Sequence, residues 1–505
     1  MSETPAAAPG AASSDAAGEI VSLYAAHKKI YARAVSGWFA TWRWALVWGT
    51  QILFYGMPWL QWNDRQAVLF DLPARKFYIF GWVFWPQDFF FLALLLIIAA
   101  LSLFFFTALA GRLWCGYACP QTVWTEVFLW IEQRVEGTRN QRMKLDAAPW
   151  SASKVRIKAT KHALWLVLAL WTGFTFVGFF TPIATLGGSL LHGEAGGWVT
   201  FWLLFYAFAT WGNAGFLREQ VCRYMCPYAR FQGAMFDRQT LIIAYDEKRG
   251  EPRGRKKAVA ARVSEPRQIA EPHPVPSPAG RGGGVEVGLR PTSDLIEAGD
   301  CIDCSLCVQV CPTGIDIRNG LQFDCIACGA CIDACDGVMD KISRPRGLIR
   351  YTTQTSLAGA ATRILRPRVL VYGTLLLAAL TAWGWSLAVR MPLGVDVLRD
   401  RNALYRVASD GSIENAYTLK VMNKDVVPHA YAITLVDGDG VTLVGAPLVA
   451  EVEAGGIAAV AATLRAAPGG PSMRNVHLRV AAKEDDRQVR EEESRFFSPA
   501  PGTTR

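Results

Sequence analysis

The sequence predicts a multi-domain membrane protein with five transmembrane helices, a bacterial-type two-cluster ferredoxin domain (α+β) and a C-terminal Ig-like β-sandwich. Three observations carry this expectation. Five apolar stretches are each long enough to cross roughly 30 Å of hydrocarbon at about 1.5 Å per residue. Eight cysteines repeat one spacing between positions 301 and 335. Beyond position 390 the pattern changes to short alternating strands. Composition agrees: 51% of the 505 residues are hydrophobic, 19% are charged, and there are 19 Trp and 26 Phe. This excludes disorder over the whole chain and is unusual for a soluble enzyme. The net charge of +9 reads, in a chain with spans, as the mark of cytoplasmic loops rather than of a nucleic-acid partner.

Residues 1–36 are rich in Ala, Ser and Gly and lack a signal-type apolar core, so they read as a cytoplasmic N-terminal tail. A four-helix membrane domain is expected over 37–235, with spans at 37–60, 88–111, 162–183 and 196–217. Arg43 lies inside the first span, close enough to its inner end to snorkel. A fifth span is expected at 369–389. The loop 112–161 carries nine Lys and Arg, the loop 61–87 carries three and the loop 184–195 carries none. The positive-inside rule then places the N-terminus, 112–161 and 218–368 in the cytoplasm, and 391–505 outside. Residues 248–292, with EPRGRKK and EPHPVPSPAGRGGG, have no apolar period and read as a disordered linker near anionic headgroups. The outer segment contains the runs AYTLKVMN (416–423), HAYAITLV (429–436) and RNVHLRVAA (474–482), with a DGDG turn after the second. Such short strands between Gly, Pro and Asp turns suggest an Ig-like β domain, whose default role is structural or protein-binding.

The cysteines carry the chemistry. Cys301, Cys304, Cys307 and Cys311 follow C-x2-C-x2-C-x3-C with Pro312 next, and Cys325, Cys328, Cys331 and Cys335 repeat the spacing. In bacterial two-cluster ferredoxins the last Cys of each run ligates the other cluster. That assigns Cys301, Cys304, Cys307 and Cys335 to one [4Fe–4S] cluster, and Cys325, Cys328, Cys331 and Cys311 to a second, within a domain at 293–345. Zinc needs only four ligands, usually in two separated pairs, and disulfides are disfavoured in a reducing cytoplasm. Asp336 stands where the second run would have Pro, a backbone-shaping residue that is not a ligand.

The other four cysteines form two pairs, Cys115-Gly-Tyr-Ala-Cys119-Pro120 and Cys222-Arg-Tyr-Met-Cys226-Pro227, both reading C-x-Y-x-C-P. Each follows a span that runs inward. A C-x3-C spacing on a helix puts both sulfurs of each pair on one face, one turn apart. Four thiolates at one depth could hold soft Cu(I), zinc or iron–sulfur, or could simply pack helix ends. There is no C-x-x-C-H for haem attachment, no mid-span His among the six, no GxGxxG in a strand–helix context and no Walker A. The electrons therefore come from a partner, here a cytoplasmic donor.

The duplicated C-x-Y-x-C-P pairs, the two-cluster ferredoxin, the late fifth span and the outer β domain, in this order, resemble the CcoG/FixG/RdxA family of accessory proteins for cbb3-type cytochrome c oxidase assembly. The resemblance covers nearly the whole chain after residue 36. It implies a multi-pass protein of the bacterial inner membrane that reduces Cu(II) to Cu(I), making it an oxidoreductase (cupric reductase). Cys115, Cys119, Cys222 and Cys226 would form its catalytic copper site. Oxidase assembly factors and a copper-exporting ATPase would be its partners. Membrane C-x3-C-P pairs also occur in NapH-like proteins, so the alternative is an electron relay between the quinone pool and a redox partner, without a copper substrate.

Overall fold

The computed structural model describes residues 29–254, 299–485 and 487–499. Residues 1–28 of the expected tail and 255–292 of the expected linker lie outside them.

Helices dominate the first half of the chain: α1 (Trp38–Gly56), α2 (Phe89–Ala110), α3 (Leu113–Tyr117), α4 (Pro120–Glu136), α5 (Arg139–Ala147), α6 (Ala152–Val177), α7 (Ile183–His192), α8 (Gly197–Gly212) and α9 (Pro227–Met235). Gly173 lets α6 and α8 touch, because a Cβ there would sit 2.4 Å from the Leu203 carbonyl oxygen. Small residues permit this kind of helix approach. Trp165 and Phe128 fill the centre between α4 and α6, almost fully buried.

Among the described residues, all five apolar stretches are helical, but two helices, Pro86–Ala110 and Pro367–Ala388, are long and apolar enough to cross a membrane. The expectation of five such helices is corrected to two, and the reason lies in the other three. Helix α1 carries Arg43 and Gln51 on its buried face. Helix α6 spends its first turns on Lys154, Arg156, Lys158 and Lys161. Helix α8 is 16 residues long and gives way to a π-helical turn at Asn213–Leu217.

After α9 the chain forms strand Ile242–Tyr245. This pairs antiparallel with Ile349–Thr352, so two strands from either side of the cysteine segment close it as one unit. Helices α10 (Leu306–Gln309) and α11 (Ala330–Lys341) lie between them. Helix α12 (Pro367–Ala388) then returns alongside α2, with Phe104 and Tyr372 rings 6.1 Å apart.

Residues 393–497 fold as two antiparallel sheets packed face to face. One runs in the order 441–443, 457–466, 413–423, 393–399, and the other 448–452, 429–437, 473–482, 489–497. The alternation of Ile413–Asn423 places Leu419 and Val421 inward with no exposed area. Their facing partners include Tyr431, Ile433, Leu478 and Phe496. The Tyr417 hydroxyl donates across the sandwich to the Arg495 carbonyl at 2.8 Å.

The β-sandwich is fastened to the opposite end of α2 from the cysteine segment. Asp88 accepts from Lys424 Nζ at 2.8 Å and pairs with Arg390 Nη2 at 2.8 Å; all three side chains are about nine-tenths buried. Lys76 Nζ adds a bond to the Gly455 carbonyl at 2.6 Å. Removing one partner of such a pair leaves the others desolvated without compensation. Asp88→Asn should therefore loosen this junction, raising amide exchange at residues 76–90 and 452–458 at least tenfold while the sandwich core stays protected. Unchanged protection at the junction would show that the ion pair does not fasten it.

Candidate metal centre

Two cavities inside the ferredoxin unit are lined by cysteines. Cys301, Cys304, Cys307 and Cys335 share the first. Cys311, Cys325, Cys328 and Cys331 share the second, with Cys307 also on its wall. The backbone of the two runs is duplicated along with the spacing. The residues flanking the second Cys are left-handed in both: Asp303 and Ser305 at φ 54°, Ala327 at φ 54° and Gly329 at φ 74°. Such a conformation is unusual for non-glycine residues. Its recurrence turns the chain the same way at the second Cys of each run. Asp336 accepts from the Gly347 N–H at 2.9 Å, so it holds the following turn.

The donor set fits a four-iron cluster better than a lone ion. Among the described residues no three His, Cys, Asp or Glu converge closely enough to share one ion. Two thiolates on one zinc, each at about 2.3 Å, lie no more than roughly 4.6 Å apart. A cubane gives each thiolate its own iron and so tolerates wider spacing. All twelve cysteines are free, without a disulfide. Burial pushes the Cys307 thiol up to about 11 and those of Cys325 and Cys335 up to about 12, with neighbouring thiols adding to the effect. Bound metal supplies the positive charge that deprotonates such thiols.

The four remaining cysteines lie together where α2 and α8 approach this unit. Burial, then the charge of neighbouring thiols, pushes Cys115 up to about 12 and Cys222 up to about 11; the neighbours are Cys119 and Cys222 for the former, Cys119 and Cys226 for the latter. Their local geometry differs from two sulfurs on one continuous helix face. Cys115 is in α3, but Cys119 is the extended residue before α4, at ψ 129°. Cys222 sits in a π-helical turn, Val221–Met225, and Cys226 is extended at ψ 109° before α9. The prolines are the cause: Pro120 and Pro227 start the next helix at its first position and exclude the helical conformation from the residue before them. Each pair therefore straddles a break, and each second sulfur is carried at a helix start. These four also fail to converge on a single ion.

Both breaks dock on the second cysteine cavity. A Cβ added to Gly116 would lie 2.8 Å from the Ile326 oxygen, the Ala327 oxygen and the Cys328 Cα. Only glycine allows this approach, and Cys115 packs in the same cluster as Cys328. Tyr117 and Tyr351 hydroxyls meet at 3.4 Å, and Tyr351 donates to the Ala327 carbonyl at 2.5 Å. Arg112 donates to the Phe323 and Ala229 carbonyls. Arg223, inside the second motif, pairs with Asp324 at 2.9 Å and donates to the Thr313 carbonyl at 3.3 Å. Asp333 of α11 accepts from the Phe39 and Ala40 N–H groups at 3.2 and 2.7 Å, capping α1 in place of its own Gly37. Gly116, Arg223 and Asp333 escaped the sequence reading. The first two fill the same x position of C-x-Y-x-C-P, the one signal that could have marked them.

The fold and its cysteine cavities define an iron–sulfur electron-transfer protein of the ferredoxin type. The family described as "4Fe-4S dicluster domain" matches residues 217–273 and 289–354, and "4Fe-4S binding domain" matches 92–137. The family described as "IG-like fold at C-terminal of FixG" matches 383–499. The chain is 38% identical over 452 residues to nitrogen fixation protein FixG of Rhizobium meliloti, covering 82% of this chain and 80% of that one. It is 41% identical to protein RdxB of Cereibacter sphaeroides (82% and 83% covered) and 41% identical to its protein RdxA (79% and 81%). A crystal structure of a FixG-related protein from Vibrio parahaemolyticus aligns at 32% identity and a TM-score of 0.20, over 21% of this chain and 97% of that one. The chain belongs to the FixG/RdxA family.

Gly116→Val should force the two loops apart and abolish most iron–sulfur absorbance in anaerobically purified protein. Gly188→Val is the control, because nothing lies within 4 Å of a Cβ at that position. Equal absorbance in both variants would show that the loop contact does not support the metal centre.

Proposed function

We propose that the protein is a membrane-bound reductase that carries single electrons through two [4Fe–4S] clusters to the four membrane-edge cysteines, where Cu(II) is reduced to Cu(I) for assembly of cbb3-type oxidase. The single observation that carries the route is the contact of the Cys115 loop with the backbone around Cys328. When bound, each cluster supplies a one-electron store. Cys301, Cys304, Cys307 and Cys335 hold the outer one, and Cys304 is exposed where a cytoplasmic donor can approach. Cys325, Cys328, Cys331 and Cys311 hold the inner one. Cys307 borders both cavities, which keeps the two stores adjacent. One electron converts one Cu(II) to Cu(I), and soft thiolates favour that product. The copper-exporting ATPase and oxidase assembly factors are the partners this reading implies.

The same reading makes this a multi-pass protein of the bacterial inner membrane, crossing through α2 and α12, with the N-terminus and ferredoxin unit in the cytoplasm and the β-sandwich in the periplasm. Support comes from the Lys/Arg asymmetry of the loops. It also comes from α2, which has the Asp88 junction at one end and the Gly111–Arg112 turn against the ferredoxin unit at the other.

A second reading, a relay to the quinone pool, is favoured by one feature. A cavity of about 340 Å³ lined by Phe54, Trp124, Phe176 and Tyr206 reaches Pro120, the residue after Cys119. Apolar, aromatic cavities of this size suit ring-bearing lipid-soluble carriers.

Metal analysis separates the readings. Anaerobic protein should hold about eight irons per chain, four per cluster, and retain copper after equilibration with Cu(I). In Cys119→Ser/Cys226→Ser the iron should persist and the copper should fall at least tenfold. Full copper retention would place the copper site elsewhere. Loss of iron instead would assign the edge cysteines to a cluster.

A further inference from the structure

A cavity of about 530 Å³ opens between the segment preceding α1, the turn joining α4 to α5, and α10 of the ferredoxin unit. Arg33, Arg134, Arg139 and Arg142 line it together with Trp130 and Gln309, and no Asp or Glu is among the lining residues. Its volume falls within the usual range of small-molecule sites, about 300–1,000 Å³.

The backbone builds this cavity rather than leaving four arginines to chance. The Arg33 N–H donates to the Gln309 carbonyl at 2.8 Å. Arg139 Nε donates to the Tyr31 carbonyl at 2.9 Å, and Arg142 Nη2 donates to the Ala32 carbonyl. The Arg134 guanidinium lies 5.1 Å over the Trp130 ring. Among the described residues none of Arg33, Arg134 and Arg139 has a carboxylate partner. The first turn of α5 begins at the cavity wall, at Thr138 and Arg139, adding the positive end of a nine-residue helix.

Arg142 is the decisive residue. Its side chain is 1% exposed, yet its Nε has no hydrogen-bond partner. Its contact with Glu132 is long, at 3.7 Å, and Glu132 also serves Arg218 at 2.6 Å and Lys29 at 3.6 Å. Lys158 and Lys161 take Glu136, while Lys29 and Lys158 take Asp146. Five cations behind the cavity thus share three carboxylates, so no spare negative charge reaches its wall. Like charges gathered on one half-buried wall repel one another.

We propose that this cavity binds a phosphate-bearing anion larger than orthophosphate, clamped by Arg33, Arg134 and Arg139, with the buried Arg142 adding positive charge beneath them. Guanidinium forks match phosphate oxygens bidentately. The occupant neutralises the arginine excess and braces the segment preceding α1 against α10, between Cys307 and Cys311. The site stands independently of which metal the edge cysteines take. A soluble polyphosphate and a phospholipid headgroup share the chemistry, and the two arms of the test distinguish them.

The probes are inorganic pyrophosphate, titrated calorimetrically into detergent-purified protein, and nanodiscs of phosphatidylcholine with or without phosphatidic acid, read by native mass spectrometry for retained lipid. Saturable pyrophosphate binding, weakened at least tenfold in Arg33→Gln/Arg134→Gln and in Arg139→Gln, supports the proposal with a soluble source. Phosphatidic acid retention with the same losses and no pyrophosphate binding supports it with a lipid source. The exposed Arg33/Arg134 pair can be replaced without touching the buried charge network, and unchanged iron content confirms that this variant folds. Absence of both kinds of binding, or binding equal in wild type and in that folded variant, overturns the proposal.

Discussion

A backbone-to-backbone contact sets the geometry of the whole redox assembly. Gly116 brings the Cys115 loop within van der Waals distance of Ile326, Ala327 and Cys328, closer than any side chain would permit. Because the approach involves main chain on both sides, its separation is fixed by sterics and not by flexible side chains. The polar contacts around it work with this constraint. Arg112, Arg223 and Asp333 all satisfy main-chain groups across the same boundary. Asp333 does so by capping α1, which couples the orientation of that helix to α11 of the ferredoxin unit.

The two C-x-Y-x-C-P motifs show how proline can place a thiol. A cysteine within a helix has its direction set by the helix. A cysteine immediately before a proline is extended and stands at a helix start, where free N–H groups and the positive end of the macrodipole face it. Cys119 and Cys226 both occupy that position, and backbone N–H groups of Gln121 and Thr122 act to lower the Cys119 pKa against the upward pressure of burial. Cys115 and Cys222, one break earlier, have less of this help. The first motif therefore pairs thiols of different character.

Much of this was legible in the sequence. The doubled ferredoxin spacing paired Cys335 with the first run and Cys311 with the second, because spacing limits what a short loop can encircle. The alternation of 416–423 and 429–436 marked the β domain, since period two is a direct imprint of a half-buried strand; the strands themselves run over 413–423 and 429–437. Helix continuity through C-x3-C was misjudged because the sulfur spacing was weighed ahead of the following proline. The count of membrane-crossing helices was overestimated because α1, α6 and α8 are apolar on average but interrupted by Arg43, by the lysines of the first turns of α6 and by the π-helical turn after Gly212. The strand Ile242–Tyr245 was invisible as part of the ferredoxin unit because its partner, Ile349–Thr352, lies a hundred residues away across the linker. The arginine cavity was likewise spread over positions 33, 134, 139, 142 and 309, and only tertiary folding gathers it.

The central claim is that electrons leave the iron–sulfur unit through the cysteines that Gly116 brings against it. The most direct measurement is anaerobic stopped flow. Protein with both clusters reduced and excess reductant removed is mixed with Cu(II), and cluster absorbance is followed together with a Cu(I)-specific chelator. In wild type the clusters should reoxidise as Cu(I) forms, one electron per ion. In a chain with Cys115, Cys119, Cys222 and Cys226 all replaced by Ser and its iron retained, the clusters should stay reduced at least a hundredfold longer. Reoxidation at the wild-type rate in that variant would contradict the account, because electrons would then reach copper without passing the membrane-edge thiols.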